Sequence, residues 1–262
     1  MIHIVGAGSG AADLITVRGA RLLERADVVI WAGSLVNPEL LAACKTGCKI
    51  YDSAHMTLEE VLDVMCAAHE RGQDVVRLHT GDPCLFGAIQ EQMDALDESG
   101  IPYDVVPGVS SFCGAASALK QEYTLPGISQ SVVITRLEGR TPMPRGEDMA
   151  TMAASGSTMV IFLSSGMLDK LSAELVAAGR KPDEPAALVY KATWPEEKIV
   201  RCSVGTLAQA GEQAEVDKTA LVVVGRVLGA KCGKGSAAVA HSYERSKLYD
   251  PAFTTGFREA SE

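Results

Sequence analysis

The alternation of short apolar runs with amphipathic helix patterns is the feature that most constrains how this chain can fold. Apolar runs expected to form strands lie at residues 2–5, 27–31, 49–51, 74–78 and 103–106. Helical spacing of apolar side chains is found at residues 14–25, 38–44, 57–70 and 87–99, and a further helix is expected to end at residue 119. Parallel strands need such crossover helices, so the first half is predicted to be an α/β domain with a mostly parallel sheet.

Two of these helix starts carry local capping signals. Asn37 precedes Pro38, which is the arrangement of an N-cap residue followed by proline in the first turn. Thr57 and Glu60 fit a capping box, in which each side chain bonds a backbone N–H group of the other residue.

Three glycine-containing turns follow strands of this half, at residues 6–10, 80–83 and 107–111. The carboxyl ends of parallel strands meet at one edge of a sheet, and open α/β sheets bind ligands there. Glycine lets backbone approach a ligand closely, and proline fixes the direction in which the chain leaves the turn. We therefore expect a ligand site at this edge. Asp82, in the turn Gly81-Asp82-Pro83, is either a capping residue or a ligand contact.

The second half of the chain differs in character. Strands are expected at residues 131–136, 158–163, 186–190, 198–203 and 220–224, and helices at residues 167–178 and 205–212. The short turn at residues 192–197 indicates some antiparallel pairing. Residues 138–148 are rich in Gly, Pro and Arg and are expected to form a mobile loop. The predicted domains are residues 1–119 and 120–230, followed by a flexible tail at residues 231–262.

The bulk composition excludes several classes of protein. The formal net charge of −9 argues against nucleic acid as the main partner, although local basic groups can still bind a small anion. No apolar run approaches the ~18 residues of a membrane span, and the first residues lack the basic region of a signal peptide. A cytoplasmic protein without membrane contact is therefore expected. The seven cysteines are an odd, scattered set, which indicates reduced thiols and no metal site.

The first glycine turn leaves two further interpretations open. Gly6-Ala7-Gly8-Ser9-Gly10-Ala11 fits the fingerprint of dinucleotide-binding folds. That fingerprint needs an acidic residue at the end of the second strand, and this strand ends in Trp31-Ala32-Gly33. A nicotinamide-dependent oxidoreductase is thus a weaker alternative, and a non-enzymatic ligand-binding domain is another.

Taken in order, the motifs resemble those of the tetrapyrrole methyltransferases, which use S-adenosylmethionine. The resemblance covers residues 2–227, and the matching segments are Val5-Gly6-Ala7-Gly8-Ser9-Gly10, Leu14-Ile15-Thr16, Ala26-Asp27-Val28-Val29, Gly81-Asp82-Pro83, Pro107-Gly108-Val109-Ser110-Ser111 and Gly205-Thr206-Leu207. Further segments are most similar to the branch that methylates C11 of precorrin-4 or cobalt-precorrin-4: Trp31-Ala32-Gly33-Ser34-Leu35-Val36, His79-Thr80-Gly81-Asp82, Gly87-Ala88-Ile89-Gln90-Glu91-Gln92 and Thr135-Arg136-Leu137-Glu138-Gly139-Arg140-Thr141-Pro142. A diphthine-type or other tetrapyrrole methyltransferase of the same fold remains an alternative.

The resemblance implies two α/β domains, with a mostly parallel sheet in the first and a mixed sheet in the second, the active site in the cleft between them, and a homodimer. It implies S-adenosyl-L-methionine as cofactor, S-adenosyl-L-homocysteine as product, and an anionic tetrapyrrole as substrate. The cofactor contacts implied by position are Ser9, Thr80, Gly81, Asp82, Leu85, Ser110, Ser111, Leu163, Ala192 and Ala220. Relatives usually carry Pro at position 9 and often Met at position 163, so Ser9 is expected to loosen the first turn.

Roles in catalysis and substrate binding follow from the same resemblance. Asp82 is the candidate catalytic residue, for polarising substrate or cofactor, and more a binding residue than a base. His79 is the alternative, although a histidine at a strand end is more often a hydrogen-bonded structural residue. Arginine suits the many carboxylates of a tetrapyrrole, so Arg136, Arg140 and Lys191 are the expected substrate contacts. The loop at residues 137–146 is expected to close over the macrocycle.

Overall fold

The computed structural model of the chain describes residues 1–232, 241–243 and 245–261. Its contacts form two compact units. The first contains Met1–Ala115 together with Lys191–Glu197, and the second contains Ala116–Tyr190 together with Lys198–Glu262. The segment Lys191–Glu197 was expected to be a simple turn of the second half, yet its contacts place it in the first unit. The expected domain bounds near residues 119 and 230 stay predictions.

The first unit is built on a five-stranded parallel sheet with the strand order β3-β2-β4-β1-β5. Its strands are β1 (Ile2–Gly6), β2 (Val28–Trp31), β3 (Lys49–Asp52), β4 (Val75–His79) and β5 (Tyr103–Val106). The helices of this part of the chain are α1 (Val17–Arg25), α2 (Leu58–Glu70), α3 (Gln90–Glu98) and α4 (Ser111–Leu119). Every residue of β1 and β4 is buried, as is typical of central parallel strands covered on both faces. The predicted parallel sheet is confirmed.

Both faces of this sheet carry an apolar core. Leu23 of α1 packs in one cluster with Val29 and Leu78 of the sheet. Met65 of α2 packs in the other cluster with Ile30. Alternate residues of each strand point to opposite faces, so a single run of apolar residues supplies both cores.

The local capping signals are present where the sequence indicates them. The Thr57 hydroxyl accepts a hydrogen bond from the Glu60 N–H group and the Glu60 carboxylate accepts one from the Thr57 N–H group. Asn37 caps the following turn, but Pro38–Ala43 is a 3₁₀-helix. The start of α3 was predicted wrongly at residue 87. Phe86 and Ala88 adopt positive φ values of 57° and 49°, a conformation that cannot belong to a helix, so α3 begins only at Gln90.

The second unit contains a mixed five-stranded sheet with the order β6-β7-β10-β8-β9. Its strands are β6 (Val132–Arg136), β7 (Thr158–Phe162), β8 (Pro185–Tyr190), β9 (Lys198–Ser203) and β10 (Ala220–Val224). Strands β6 and β7 are parallel and the other pairs are antiparallel, which confirms the predicted mixture. Its helices are α5 (Met149–Ala153), α6 (Leu168–Ala177) and α7 (Leu207–Gln213). Helix α5 was not predicted, because it is one short turn after a Gly- and Pro-rich loop.

Short 3₁₀ turns and a small third sheet complete the described chain. The remaining 3₁₀ turns are Ala12–Leu14, Gly33–Leu35, Ser53–His55, Ser165–Met167, Val204–Thr206, Arg226–Gly229 and Lys247–Tyr249. In the expected tail, β11 (Ala230–Cys232) pairs in parallel with β12 (His241–Tyr243), while residues 233–240, 244 and 262 lie outside the described residues. Within the described residues, no helix has the length and apolar character needed to cross a membrane.

Candidate active site

The three glycine turns of the first unit meet at the carboxyl edge of its sheet. The N–H group of Ala7 donates to the His79 carbonyl at 2.7 Å. Gly81 donates to the Gly8 carbonyl at 2.9 Å and Gly8 donates back to the Gly81 carbonyl at 3.3 Å. The turns after β1 and β4 are therefore joined by backbone hydrogen bonds, and this edge is the ligand-binding edge expected for the fold.

Glycine is required where these turns approach most closely. A Cβ atom at Gly6 would lie 2.6 Å from both the Cα atom of Gly108 and the carbonyl oxygen of Gly81. A Cβ atom at Gly108 would collide with the same Gly81 oxygen. The packing of backbone against backbone explains glycine at positions 6 and 108, whereas Gly81 is favoured by its positive φ of 60°.

Asp82 ties two of the turns together. Its Oδ1 atom accepts a hydrogen bond from the Cys84 N–H group at 2.9 Å, and its Oδ2 atom accepts one from the Gly108 N–H group at 2.9 Å. The first bond is that of a turn cap, and the second links the turn after β4 to the turn after β5. Both oxygens are thus engaged with backbone, which suits a residue that shapes the site better than one that accepts a proton.

Two basic side chains lie buried on β4 beneath this edge. Arg77 donates to the Ile30 carbonyl and the Gln92 side chain, both at 3.3 Å, and burial lowers its pKa to about 10. Burial, with a smaller contribution from the charge of Arg77, lowers the pKa of His79 to about 3. His79 was expected to be hydrogen bonded, but its Nε2 atom has no hydrogen-bond partner within the described part of the chain. The imidazole is therefore neutral at physiological pH.

The other predicted cofactor residues of this unit differ in exposure. Thr80 is exposed, Leu85 and Ser111 are half-buried, and Ser110 is buried. The Ser110 carbonyl accepts hydrogen bonds from the N–H groups of Cys113 and Gly114, so Ser110 is placed at the start of α4. A helix N-terminus has free N–H groups that favour anionic or polar ligand atoms.

Ser9 is buried in the first glycine turn and contacts a residue distant in the chain. Its hydroxyl lies 3.0 Å from the Thr193 hydroxyl. Thr193 belongs to the segment Lys191–Glu197, which also carries the predicted residues Lys191 and Ala192. The Nζ atom of Lys191 lies 5.1 Å from the centre of the Trp194 ring. The expectation that Ser9 loosens the first turn stays a prediction, and the structure adds that the Ser9 hydroxyl is hydrogen bonded.

The predicted residues of the second unit lie at one edge of its own sheet. Arg136 and Phe162 are paired at the ends of parallel strands β6 and β7, and Leu163 follows directly. Strand β10 runs antiparallel to β7, so its first residue, Ala220, lies at the same edge. Leu163 has a φ of 53° and is 68% exposed, which is an unusual conformation and exposure for a large apolar residue. Such strain is typical of residues that contact ligands.

Arg136 organises the loop that follows it. Its guanidinium group donates to the carbonyl oxygens of Leu137, Thr141 and Pro142, at 3.3, 3.1 and 2.8 Å. The base of the loop is fixed by the buried Ser164, whose hydroxyl accepts from the Leu137 N–H group at 2.9 Å. Arg140, by contrast, is exposed on the loop.

The profile of the tetrapyrrole (corrin/porphyrin) methylases matches residues 1–208 of the chain. The chain belongs to the tetrapyrrole methylase family. This methylase is 48% identical over 259 residues to a protein of Methanocaldococcus jannaschii named cobalt-precorrin-4 C(11)-methyltransferase. The match covers 99% of this chain and 96% of the relative. It is 44% identical over 231 residues to the precorrin-4 C(11)-methyltransferase of Mycobacterium tuberculosis, over 88% of this chain and 92% of the relative.

Solved structures of the family have the same architecture as this methylase. The X-ray structure of cobalt precorrin-4 methyltransferase, a cobalamin biosynthetic enzyme, matches with a TM-score of 0.85 at 44% identity, over 87% of this chain and 95% of that chain. Uroporphyrin-III C-methyltransferase from Thermus thermophilus, complexed with S-adenosylhomocysteine, matches with a TM-score of 0.73 at 30% identity, over 90% and 97% of the two chains. The predicted family, fold class and enzyme class, a methyltransferase, are confirmed.

Several residues that shape the site in this methylase were missed by sequence reasoning. Thr193 and Trp194 lie in a segment that was expected to be only a turn, and Ser164 lies in the short connection after β7. Each acts through a contact with residues distant in the chain, so no local pattern marks them. The Trp-Pro pair at positions 194 and 195 was a sequence signal for such a contact, because a large aromatic residue in a short turn needs another part of the chain to cover it.

Proposed function

We propose that this protein transfers a methyl group from S-adenosylmethionine to C11 of precorrin-4 or cobalt-precorrin-4, a step of corrin ring formation in cobalamin biosynthesis. The observation that carries the proposal is the close likeness, over nearly the whole chain, to relatives named for this reaction. Relatives named for the metal-free and the cobalt-containing substrate both match, so the proposal includes both forms of the substrate.

We infer that the cofactor binds at the carboxyl edge of the sheet of the first unit. A family member of known structure binds S-adenosylhomocysteine. The residues of this unit that are expected to hold the cofactor are Ser9, Thr80, Gly81, Asp82, Leu85, Ser110, Ser111 and Ala192. In the second unit, the expected contact Leu163 is strained and exposed and offers an apolar surface. When bound, the cofactor supplies an electrophilic methyl group on a sulfonium sulfur.

The contribution of the protein is orientation and the exclusion of water. Holding two reacting groups in line can supply several powers of ten in rate. Asp82 serves this end by fixing the turns after β4 and β5 through its two backbone hydrogen bonds. We therefore assign to Asp82 an organising role in catalysis, with no transfer of a proton to its carboxylate.

Substrate recognition is proposed for the loop at residues 137–146 and for Lys191. Arg136 shapes the loop through three carbonyl oxygens, and the exposed Arg140 is placed to pair with substrate carboxylates. Arg140→Ala should raise the KM for the tetrapyrrole and leave the KM for the cofactor unchanged. Arg136→Ala should raise the same KM and also make the loop more sensitive to protease. An exposed arginine elsewhere, as in Arg71→Ala, is the control, and an unchanged substrate KM in both loop variants would contradict the role.

The reaction itself is tested by product analysis. The protein is incubated with S-adenosylmethionine carrying a ¹³C-methyl group and with each form of precorrin-4, and NMR locates the new methyl group. A methyl group at C11 supports the proposal. A methyl group at another ring position, or on diphthine intermediates only, would assign the chain to another reaction of the fold. A titration with S-adenosylhomocysteine and with NADP⁺ separates a methyltransferase from an oxidoreductase, because each class binds only its own cofactor.

The remaining expectations concern assembly and location. A homodimer and a cytoplasmic location are proposed from the resemblance to the family. Light scattering of the purified protein measures the first, and fractionation of cells that express the chain measures the second.

A further inference from the structure

The segment Lys191–Glu197, here called the clasp, is fastened to the first glycine turn by one threonine hydroxyl. The Oγ1 atom of Thr193 lies 3.0 Å from the Ser9 Oγ atom and accepts a hydrogen bond from the Ala11 N–H group at 3.1 Å. These two contacts join positions more than 180 residues apart in sequence. Ala192, an expected cofactor contact, is the neighbour of this threonine.

The clasp is held in a strained conformation. Lys191 and Thr193 have φ values of 45° and 68°. A positive φ is costly for a β-branched residue such as threonine, and such strain persists only where surrounding contacts determine it. The Thr193 N–H group donates to the Glu197 carboxylate at 2.7 Å, and the Trp194 N–H group donates to the Lys191 carbonyl at 3.0 Å. Internal hydrogen bonds thus preserve the shape of the clasp.

A second contact seats the clasp on the same turn. A Cβ atom at Gly10 would collide with the Trp194 ring and would lie 2.7 Å from the Ala192 carbonyl oxygen. The Gly10 carbonyl also accepts a hydrogen bond from the Asn37 amide at 3.0 Å, which fixes the turn from its other side. Gly10 is therefore enclosed between Trp194 and Asn37.

Ser9 connects the clasp and the first glycine turn to the start of α4. A Cβ atom at Gly114 would lie 2.7 Å from the Ser9 Cβ atom and 3.4 Å from the Thr193 Cγ2 atom. Gly114 lies in the first turn of the helix that begins after Ser110. One cluster of close contacts thus joins Ser9, Ala192 and the Ser110-Ser111 pair, three expected parts of the cofactor site.

We propose that Thr193 is a positioning residue for the cofactor: its hydroxyl fixes the positions of Ala192 and Ser9 relative to each other, so that both can contact the bound cofactor. This inference rests on the proposed function. A hydrogen bond between neutral groups contributes about 1 kcal/mol, which corresponds to about a fivefold change in an equilibrium constant. Two such bonds converge on Thr193, so their loss should weaken cofactor binding by about fivefold to thirtyfold.

The test compares variants that differ by one hydroxyl group. Calorimetric titration with S-adenosylhomocysteine is performed on the wild type, Thr193→Val, Thr193→Ser and the control Thr46→Val, which makes the same change at an exposed turn. Thr193→Val should weaken binding by the stated factor and raise the KM for S-adenosylmethionine equally, with kcat changed less than twofold. Thr193→Ser should restore most of the affinity because it keeps the oxygen, and Thr46→Val should bind as the wild type does.

A double-mutant cycle shows whether Ser9 and Thr193 act together. Ser9→Ala, Thr193→Val and the double variant are titrated in the same way, and the losses of affinity should be clearly less than multiplicative because one hydrogen bond is lost only once. In a Trp31→Phe background, Trp194 is the only tryptophan, and its emission should shift to longer wavelength in Thr193→Val as the ring leaves Gly10.

The outcomes separate this inference from the proposed function. If the wild type does not bind S-adenosylhomocysteine, the proposed function fails and this inference falls with it. If the wild type binds and Thr193→Val binds within twofold of it, only the positioning role is overturned. Failure of Thr193→Ser to recover affinity, or multiplicative losses in the cycle, would show that the hydroxyl does not act through Ser9, and would overturn it too.

Discussion

His79 should make the free energy of unfolding of this protein depend on pH, and the substitution His79→Gln should remove that dependence. The ring is 4% exposed, and its pKa lies at about 3, against an ordinary value of 6.5. Burial is the main cause, and the positive charge of Arg77 adds to it. The folded protein therefore keeps the ring neutral under conditions in which the unfolded chain binds a proton.

The sign and size of the effect follow from this difference. The contribution of the neutral His79 ring to the free energy of unfolding is fully present above the unfolded pKa of 6.5. It is lost as the pH falls from there towards the folded pKa of about 3, because only the unfolded state takes up the proton in that range. Between pH ~7.5 and pH ~5.5 the loss should be about 1.4 kcal/mol. That figure depends on the unfolded pKa and changes little for any folded value well below 5.

Urea unfolding of the wild type and of His79→Gln at these two pH values measures the effect. Glutamine does not titrate, so the variant should lose about 1.4 kcal/mol less than the wild type on acidification, whatever its own stability at neutral pH. All other titrating groups are shared by the two proteins and cancel in the difference. Equal losses in the two proteins would refute the reasoning, because they would show that His79 is protonated as readily in the folded state as in the unfolded chain.

Three further predictions concern single residues. Arg180 is buried and pairs with Glu184 at 2.7 Å, so Arg180→Ala should lower the free energy of unfolding by about 3–5 kcal/mol, measured by urea denaturation, since a buried carboxylate loses its partner. Gly108→Ala should abolish binding of S-adenosylhomocysteine in a calorimetric titration, because its Cβ atom cannot fit between the turns. Partial burial and the charge of Asp82 raise the pKa of the Cys113 thiol above 9.0, so its alkylation by iodoacetamide, followed by mass spectrometry, should become fast only above about pH 9.

The two substitutions have matched control variants, and each of the three predictions has a result that would contradict it. Arg71→Ala, at an exposed position, should leave stability within about 0.5 kcal/mol of the wild type, and a similar small loss in Arg180→Ala would contradict the buried pair. Gly256→Ala has open space around the new methyl group and should bind normally. Wild-type affinity in Gly108→Ala would show that the turns can separate. Rapid alkylation of Cys113 at pH ~7 would show that its thiol is not shielded.

The expected elements of this chain come from local chemistry. The capping box of Thr57 and Glu60 needs only residues three positions apart, and strand and helix periodicities are equally local. The three glycine turns and their common edge also followed from the sequence, since parallel strands place their carboxyl ends together. The fold class followed from these local patterns, and the family followed from the resemblance of the motifs to those of the tetrapyrrole methyltransferases.

Tertiary structure decided what the local patterns left open. Asp82 was either a cap or a ligand contact, and the approach of Gly108 from another strand made it a brace between two turns. The clasp looked like a simple turn, and its contact with Ser9 depends on residues from distant parts of the chain. The burial of His79, whose Nε2 atom has no hydrogen-bond partner among the described residues, depends likewise on the elements packed against β4. The sequence therefore determined the secondary-structure elements and the sheet edge that bears the site, because these depend on residues close together in the chain. Only the tertiary structure decided which contacts the side chains of the site make, because each of these contacts joins residues distant in the chain.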